Sequence, residues 1–149
     1  MIKVLVVDDS ARVRRILSDA LNAYDDIEVV GSAVDPYAAR DKIVKLQPDV
    51  LTLDIEMPRM DGISFLSKLM KFHPMPVIIV SSVAPENSET ALQALRLGAV
   101  DVVSKPGSQF STPDVSRKLV RSIRGAATAV LRQPVAQPAS QEREVVSIS

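Results

Sequence analysis

Four stretches of this 149-residue chain carry polar side chains that could act together on one phosphoryl group: Asp8-Asp9, Asp54, Ser81 and Lys105. Asp54 stands in Asp49-Val-Leu-Thr-Leu-Asp54-Ile-Glu-Met-Pro-Arg-Met-Asp61-Gly62. Residues Asp49 to Leu53 read as a short buried strand, and Pro58 and Asp61-Gly62 break the chain into a loop after it. In an open α/β sheet, ligands bind in the crevice outside the carboxyl ends of the strands. A carboxylate at that position is placed for chemistry, although Asp also ends strands and starts turns for purely local reasons.

The other three stretches also follow apolar runs. Asp8-Asp9 closes Ile2 to Val7, Ser81-Ser82 closes Val77 to Val80, and Lys105-Pro106-Gly107 closes Val100 to Val103. Each has a plain alternative: a helix cap, turn residues, or a surface turn. Their joint placement at four strand ends outweighs those alternatives. Three converging carboxylates repel, at roughly 3 kcal/mol per pair for a separation of about 5 Å and an effective dielectric of about 20. A cation would neutralise them, and an oxygen-only ligand set suits Mg²⁺. Asp54 is then the candidate nucleophile for a phosphoryl group. Asp9, Asp54 and the backbone carbonyl of Glu56 are the candidate metal ligands, with Asp8 holding a coordinated water. Lys105 and Ser81 would meet phosphoryl oxygens. Phosphoryl transfer asks for positioning and charge neutralisation, and this set supplies both.

These groups converge only if the elements between them are right. Val13, Ile16, Leu17, Ala20 and Leu21 recur at helical spacing after Asp9 or Ser10 as cap. Ile27 to Val30 reads as a second strand closed by Gly31, contributing nothing to the chemistry. Asp35-Pro36 opens a helix carrying Ala39, Ile43 and Leu46. Ile63, Leu66, Leu69 and Met70 mark a third helix, ended by His73-Pro74. Ala91, Leu92 and Leu95 mark a fourth, stopped at Gly98. Asp101 interrupts the fifth strand as an inward or edge residue. Val115, Leu119 and Ile123 mark a last helix whose period continues through Gly125 to about Leu131. Strand and helix alternate five times, which predicts an α/β fold: a doubly wound, five-stranded parallel sheet with right-handed crossovers. From Gln133 the prolines, glutamines and serines read as a flexible linker.

Composition narrows the function. The chain is 46% hydrophobic, with no cysteine and one histidine. Disulfides are excluded and zinc has too few ligands. His73 reads as a loop residue. Eighteen basic and 18 acidic residues cancel, so nothing pulls the chain towards nucleic acid or an anionic membrane. No apolar run approaches a membrane span, and the start is too quickly interrupted for a signal peptide. A cytoplasmic location is expected.

Val-Val-Asp8-Asp9-Ser-Ala-Arg-Val-Arg-Arg, Asp54-Ile-Glu-Met-Pro-Arg-Met-Asp61-Gly62 and Val-Ser-Lys105-Pro106 together resemble the receiver domain of two-component response regulators. That resemblance implies the flavodoxin-like strand order 2-1-3-4-5 and a histidine kinase as phosphoryl donor. Leu-Thr-Leu-Asp54-Ile-Glu-Met-Pro-Arg-Met-Asp-Gly, Val-Ser81-Ser82 and Leu97-Gly-Ala-Val-Asp-Val-Val-Ser-Lys105-Pro106 narrow it to receivers of chemotaxis protein-glutamate methylesterases. It covers residues 1–123, leaving 124–149 as a last-helix extension and interdomain linker. It further implies control of a methylesterase domain attached in cis, acting on chemoreceptors and also deamidating receptor glutamines. The chain has no G-x-S-x-G and no second histidine for an esterase triad, so it reads as a regulatory piece.

One departure stands out. Many receivers carry an aromatic switch residue three positions before the lysine, where this chain has Val102. Three other readings compete. A haloacid-dehalogenase-like phosphotransferase fits less well, because Asp54-Ile-Glu56 is an imperfect D-x-D and the acidic pair precedes the nucleophile. A flavin module lacks a phosphate loop. In a transcription-factor receiver the cations Arg117, Lys118, Arg121 and Arg124 would do more than form a solvated face.

Overall fold

The computed structural model of the protein describes residues 1–56, 61–82, 89–105 and 112–132. Pro58, Pro106-Gly107 and the stretch from Gln133, read above as loops and linker, lie outside them. Strands and helices alternate as β1 (Ile2–Val7), α1 (Ala11–Asn22), β2 (Ile27–Ala33), α2 (Pro36–Leu46), β3 (Val50–Asp54), α3 (Gly62–Phe72), β4 (Val77–Ser81), α4 (Glu89–Arg96), β5 (Asp101–Ser104) and α5 (Thr112–Arg132). All strand pairs are parallel, in the order β2-β1-β3-β4-β5.

Alternation along each strand sorts the core into two layers. Leu5, Val7, Leu51, Leu53, Val77 and Ile79 face α2, α3 and α4. Val4, Val6, Val50, Ile78 and Val80 face α1 and α5. With both faces covered, the strands are apolar throughout rather than alternating. A buried Leu or Ile contributes about 1.5–3 kcal/mol, and truncating Leu53 or Ile79 to Ala should cost about 2–5 kcal/mol. Thr52 is the exception inside β3: its hydroxyl is buried with no hydrogen-bond partner, a cost of roughly 1–3 kcal/mol.

The helix starts follow local chemistry. Ser10 Oγ accepts from Val13 N (3.2 Å) and caps α1. Asp35 Oδ1 accepts from Ala38 N (2.9 Å), with Pro36 in the first turn of α2. Asp61 Oδ1 accepts from Ile63 N (3.1 Å) at the start of α3. Gly98 follows α4 at φ 117°, a conformation glycine adopts without steric penalty. α5 runs unbroken through Gly125.

Four strands have boundaries that differ from the sequence reading, β4 only in taking in Ser81. β3 begins at Val50 and includes Asp54; Asp49 stays outside, where its Oδ2 accepts from Lys3 N (2.8 Å). β5 begins at Asp101, leaving Val100 exposed. β2 does not stop at Gly31 but runs on to Ala33. A register shift opposite Val4 and Leu5 lets it continue. A Cβ at position 31 would lie 2.9 Å from Leu46 Cδ1, so this glycine marks a close approach within a strand rather than its end.

Candidate functional site

The site forms where β1, β3, β4 and β5 end. Asp8 directly follows β1, Asp54 is the last residue of β3, Ser81 the last of β4, and Lys105 directly follows β5. The sheet register holds them side by side: Asp54 pairs with Val80, and Ser81 with Ser104. Lys105 is anchored to the neighbouring strand through its own N–H, which donates to Ser81 O (2.7 Å).

Asp8, Asp9 and Asp54 converge, each offering a carboxylate oxygen within 4.8 Å of the others. Asp8 and Asp54 are buried and Asp9 is exposed. Their oxygens are used unequally. Asp8 Oδ1 accepts from Ser10 N (2.9 Å), and Asp54 Oδ1 accepts from Glu56 N (2.9 Å). Asp8 Oδ2 and Asp54 Oδ2 are buried and accept no hydrogen bond. Lys105 Nζ lies 3.3 Å from the first and 3.1 Å from the second. Its contribution is thus chiefly its charge, without the alignment of a hydrogen bond.

Burial pushes the Asp54 carboxyl up to about 7; Asp8 adds to the rise, while the Glu56 N–H and Lys105 oppose it. Burial likewise raises Asp8, against the Ser10 N–H and Lys105. Burial works against the Lys105 charge, yet Asp8 and Asp54 overcome it and its pKa is raised. One ammonium therefore meets two of the three clustered carboxylates, and two buried oxygens are left without hydrogen bonds. The chemistry of this donor set fits a small, hard divalent cation with oxygen ligands.

Neighbouring contacts fix the frame. Arg14 Nη1 donates to Asp8 O (2.7 Å), tying α1 to the end of β1. Gly62 N donates to Ile55 O (3.3 Å), and a Cβ on Gly62 would lie 2.4 Å from Ile55 Cα. Only glycine lets α3 start so close to the residue after Asp54. Glu56 contributes more than its backbone: its Oε1 accepts from Ser82 Oγ (2.6 Å) and Ser82 N (3.3 Å).

Of the residues singled out in the sequence, Asp8, Asp9, Asp54 and Lys105 meet directly, Ser81 stands beside them through the sheet, and Glu56 meets Asp54 through its N–H. Val102 is buried in the layer against α2, α3 and α4, and is thus a core residue. The Glu56–Ser82 and Arg14–Asp8 contacts escaped sequence reasoning, since each joins segments whose proximity only the fold decides. Among the helix cations, Arg124 is taken up by a two-pronged pair with Asp26 (2.8 and 2.9 Å), and Arg117 pairs with Asp114. Lys118 and Arg121 are exposed. No helix among the described residues is long and apolar enough to cross a membrane.

Comparison with known proteins agrees with this geometry. The family model described as response regulator receiver domain matches residues 4–112. A protein-glutamate methylesterase/protein-glutamine glutaminase of Syntrophus aciditrophicus is 58% identical over 144 residues, 94% of this chain and 42% of that protein. The chain thus spans under half the length of that relative. The response regulator domain of Thermotoga maritima CheB superposes with a TM-score of 0.79 at 44% identity, covering 86% of this chain and 97% of that one. A chain from the complex of the CheA3 P1 domain with CheY6 of R. sphaeroides gives a TM-score of 0.71 at 33% identity, covering 85% of this chain and 97% of that one. With its sheet order, its strand-end acids and its lysine all in place, the chain belongs to the response regulator receiver domain family, and within it is similar to the receivers of chemotaxis methylesterases.

Proposed function

We propose that Asp54 accepts a phosphoryl group from a histidine kinase and so controls a protein-glutamate methylesterase domain attached in cis. One observation carries this reading: Asp54 Oδ2 is buried, accepts no hydrogen bond, and lies 3.1 Å from the Lys105 ammonium. A carboxylate oxygen so held is available for attack. Asp54 would form an O–P bond as the P–N bond of a phosphohistidine breaks, the imidazole taking the electron pair. Asp9, Asp54 and the Glu56 backbone carbonyl would hold Mg²⁺, with Asp8 orienting a bound water. Mg²⁺ when bound supplies positive charge that keeps the acids ionised and offsets charge on the phosphoryl oxygens. Lys105 shifts from carboxylates to a phosphoryl oxygen, and Ser81 donates to another.

A kinase as donor is supported by the likeness to the receiver family and to the CheA3 P1–CheY6 complex. The methylesterase output and its chemoreceptor substrates are supported by the relatives, which extend well beyond this chain. Residues 1–123 would be the receiver and 124–149 the helix extension and linker, working in the cytoplasm. The test is intact mass after incubation with acetyl phosphate and Mg²⁺. One phosphoryl group should add, and none should add in Asp54→Ala or with a chelator. Full labelling of Asp54→Ala would overturn the assignment.

A further inference from the structure

A cavity of about 480 Å³ opens between α2 and α3, and none of its lining residues belongs to the acidic cluster. Its floor is apolar, with Ile43, Phe65 and Leu69 buried in the core. Exposed apolar side chains stand at its rim: Tyr37 is 49%, Val44 68% and Phe72 75% accessible. Single exposed apolar side chains are ordinary, but a group of them around a preformed hollow marks an interaction site. These three are not needed for the core, because the inward stripes of α2 and α3 are already filled by Ala39, Ile43, Leu66 and Leu69.

The charge around the hollow has one sign. Arg40 and Lys68 line it, and no carboxylate does. Neither cation forms an ion pair among the described residues. Lys71 adds a third positive charge, its ammonium 5.3 Å from the centroid of the Phe72 ring.

We propose that the α2–α3 groove is a docking site for an acidic amphipathic helix of a partner protein. Such a helix would set apolar residues at i, i+3 and i+4 over Ile43 and Leu69, between the Tyr37 and Phe72 rings. Carboxylates flanking that stripe would meet Arg40 and Lys68. A nucleic acid would satisfy the cations but leave the apolar floor unmet. A second copy of the same face would set like charges against each other. The groove is independent of the Asp54 chemistry.

The test uses the full isotope-labelled chain and two synthetic helical peptides. One carries Leu and Phe at i, i+3, i+4 and i+7 on a Glu-rich background; the other is identical but with Lys in place of each Glu. The acidic peptide should shift backbone amides of α2 and α3 saturably, and weaken with added salt. Val44→Glu and Phe72→Glu should each weaken it at least about tenfold. Both positions are exposed, so thermal midpoints should hold within a few degrees. Arg40→Glu with Lys68→Glu should invert the preference, favouring the Lys peptide. Equal affinity for the two peptides, no saturable binding, or shifts confined to α4 and β5 would overturn the proposal. Two further outcomes would replace the partner with another occupant. Movement of the groove amides on Glu142→Lys with Glu144→Lys would place the chain's own end there. Concentration-dependent shifts with a dimer in sedimentation would place a second copy there.

Discussion

Glu56 Oε1 accepts two hydrogen bonds from Ser82, one from the hydroxyl at 2.6 Å and one from the backbone N–H at 3.3 Å. This carboxylate ties the segment that follows Asp54 at the end of β3 to the segment that follows Ser81 at the end of β4. Any inward movement of Ser81 towards a phosphoryl group must stretch or carry this tie.

Replacing Glu56 by Ala should therefore loosen Ser82 without unfolding anything. Both residues are exposed, so the thermal midpoint should stay within a few degrees. Hydrogen exchange at the Ser82 amide should speed up severalfold, as expected for an exposed bond of roughly 1 kcal/mol. An unchanged Ser82 exchange rate would mean the tie is not formed in solution.

Lys105→Met should cost more than a rim substitution. The Lys105 side chain is only 16% exposed and faces two buried carboxylates. Breaking such a contact leaves like charges uncompensated, at a cost of order 3 kcal/mol. The loss should be larger at pH 8 than at pH 6, where Asp54 can take a proton instead, and Mg²⁺ should restore part of it. Acetyl phosphate should still label Asp54, while the amide-exchange change that phosphorylation causes near Ser81 should fade. A variant as stable as the parent without metal, yet still switching, would remove Lys105 from both roles.

The acids also set a pH dependence. Asp54 is raised to about 7 in the folded chain, from 3.8 when free. The folded state thus holds its proton more tightly than the unfolded chain does. That stabilisation is complete below about pH 4 and is lost as pH rises through about 7. The metal-free domain should therefore lose this contribution between about pH 4 and about pH 7, on top of any change from other groups. Asp54→Asn should flatten the decline, and Mg²⁺ should offset it by favouring the ionised acid. Denaturant midpoints across that range check the sign; a rise for the wild type relative to Asp54→Asn would contradict it.

The output model makes a prediction for the longer protein. This chain alone should show no methylesterase activity, phosphorylated or not. In a protein that continues into a methylesterase domain, activity should rise on phosphorylation and also on deletion of residues 1–123. A tenfold rise corresponds to about 1.4 kcal/mol of differential stabilisation. Activity unchanged or lowered by the deletion would replace inhibition by recruitment.

Most of the candidate site could be read from the chain because its members stand at or just beyond the ends of apolar runs. Asp8, Asp54, Ser81 and Lys105 needed only the α/β alternation to be brought together. What stayed hidden depends on tertiary proximity. Glu56 and Ser82 are 26 positions apart, and no local pattern pairs them. Gly31 looked like a strand end because propensity cannot see the Leu46 side chain pressed against it. Tyr37, Val44 and Phe72 fall off the inward stripes of their helices, so periodicity assigns them to solvent one at a time; only the packing of α2 beside α3 assembles them into a rim. Val102 stands where many receivers carry an aromatic, and its burial shows a position occupied by the core.

The length of α5 has a consequence for whatever the chain is joined to. Its 21 residues span about 31 Å, against about 23 Å for the seven-residue β2. Arg124 grips Asp26, just ahead of β2, and lies 5.4 Å from the Tyr24 ring centroid, so the helix is clamped at the amino edge of the sheet and its remaining turns lead away from there. The polypeptide thus departs from the pole opposite Asp54. If a methylesterase domain follows as proposed, a tether leaving that pole would set its effective concentration without setting its pose. In such a protein covalent continuity and signal would run in opposite directions, and orientation would have to come from one folded surface meeting another.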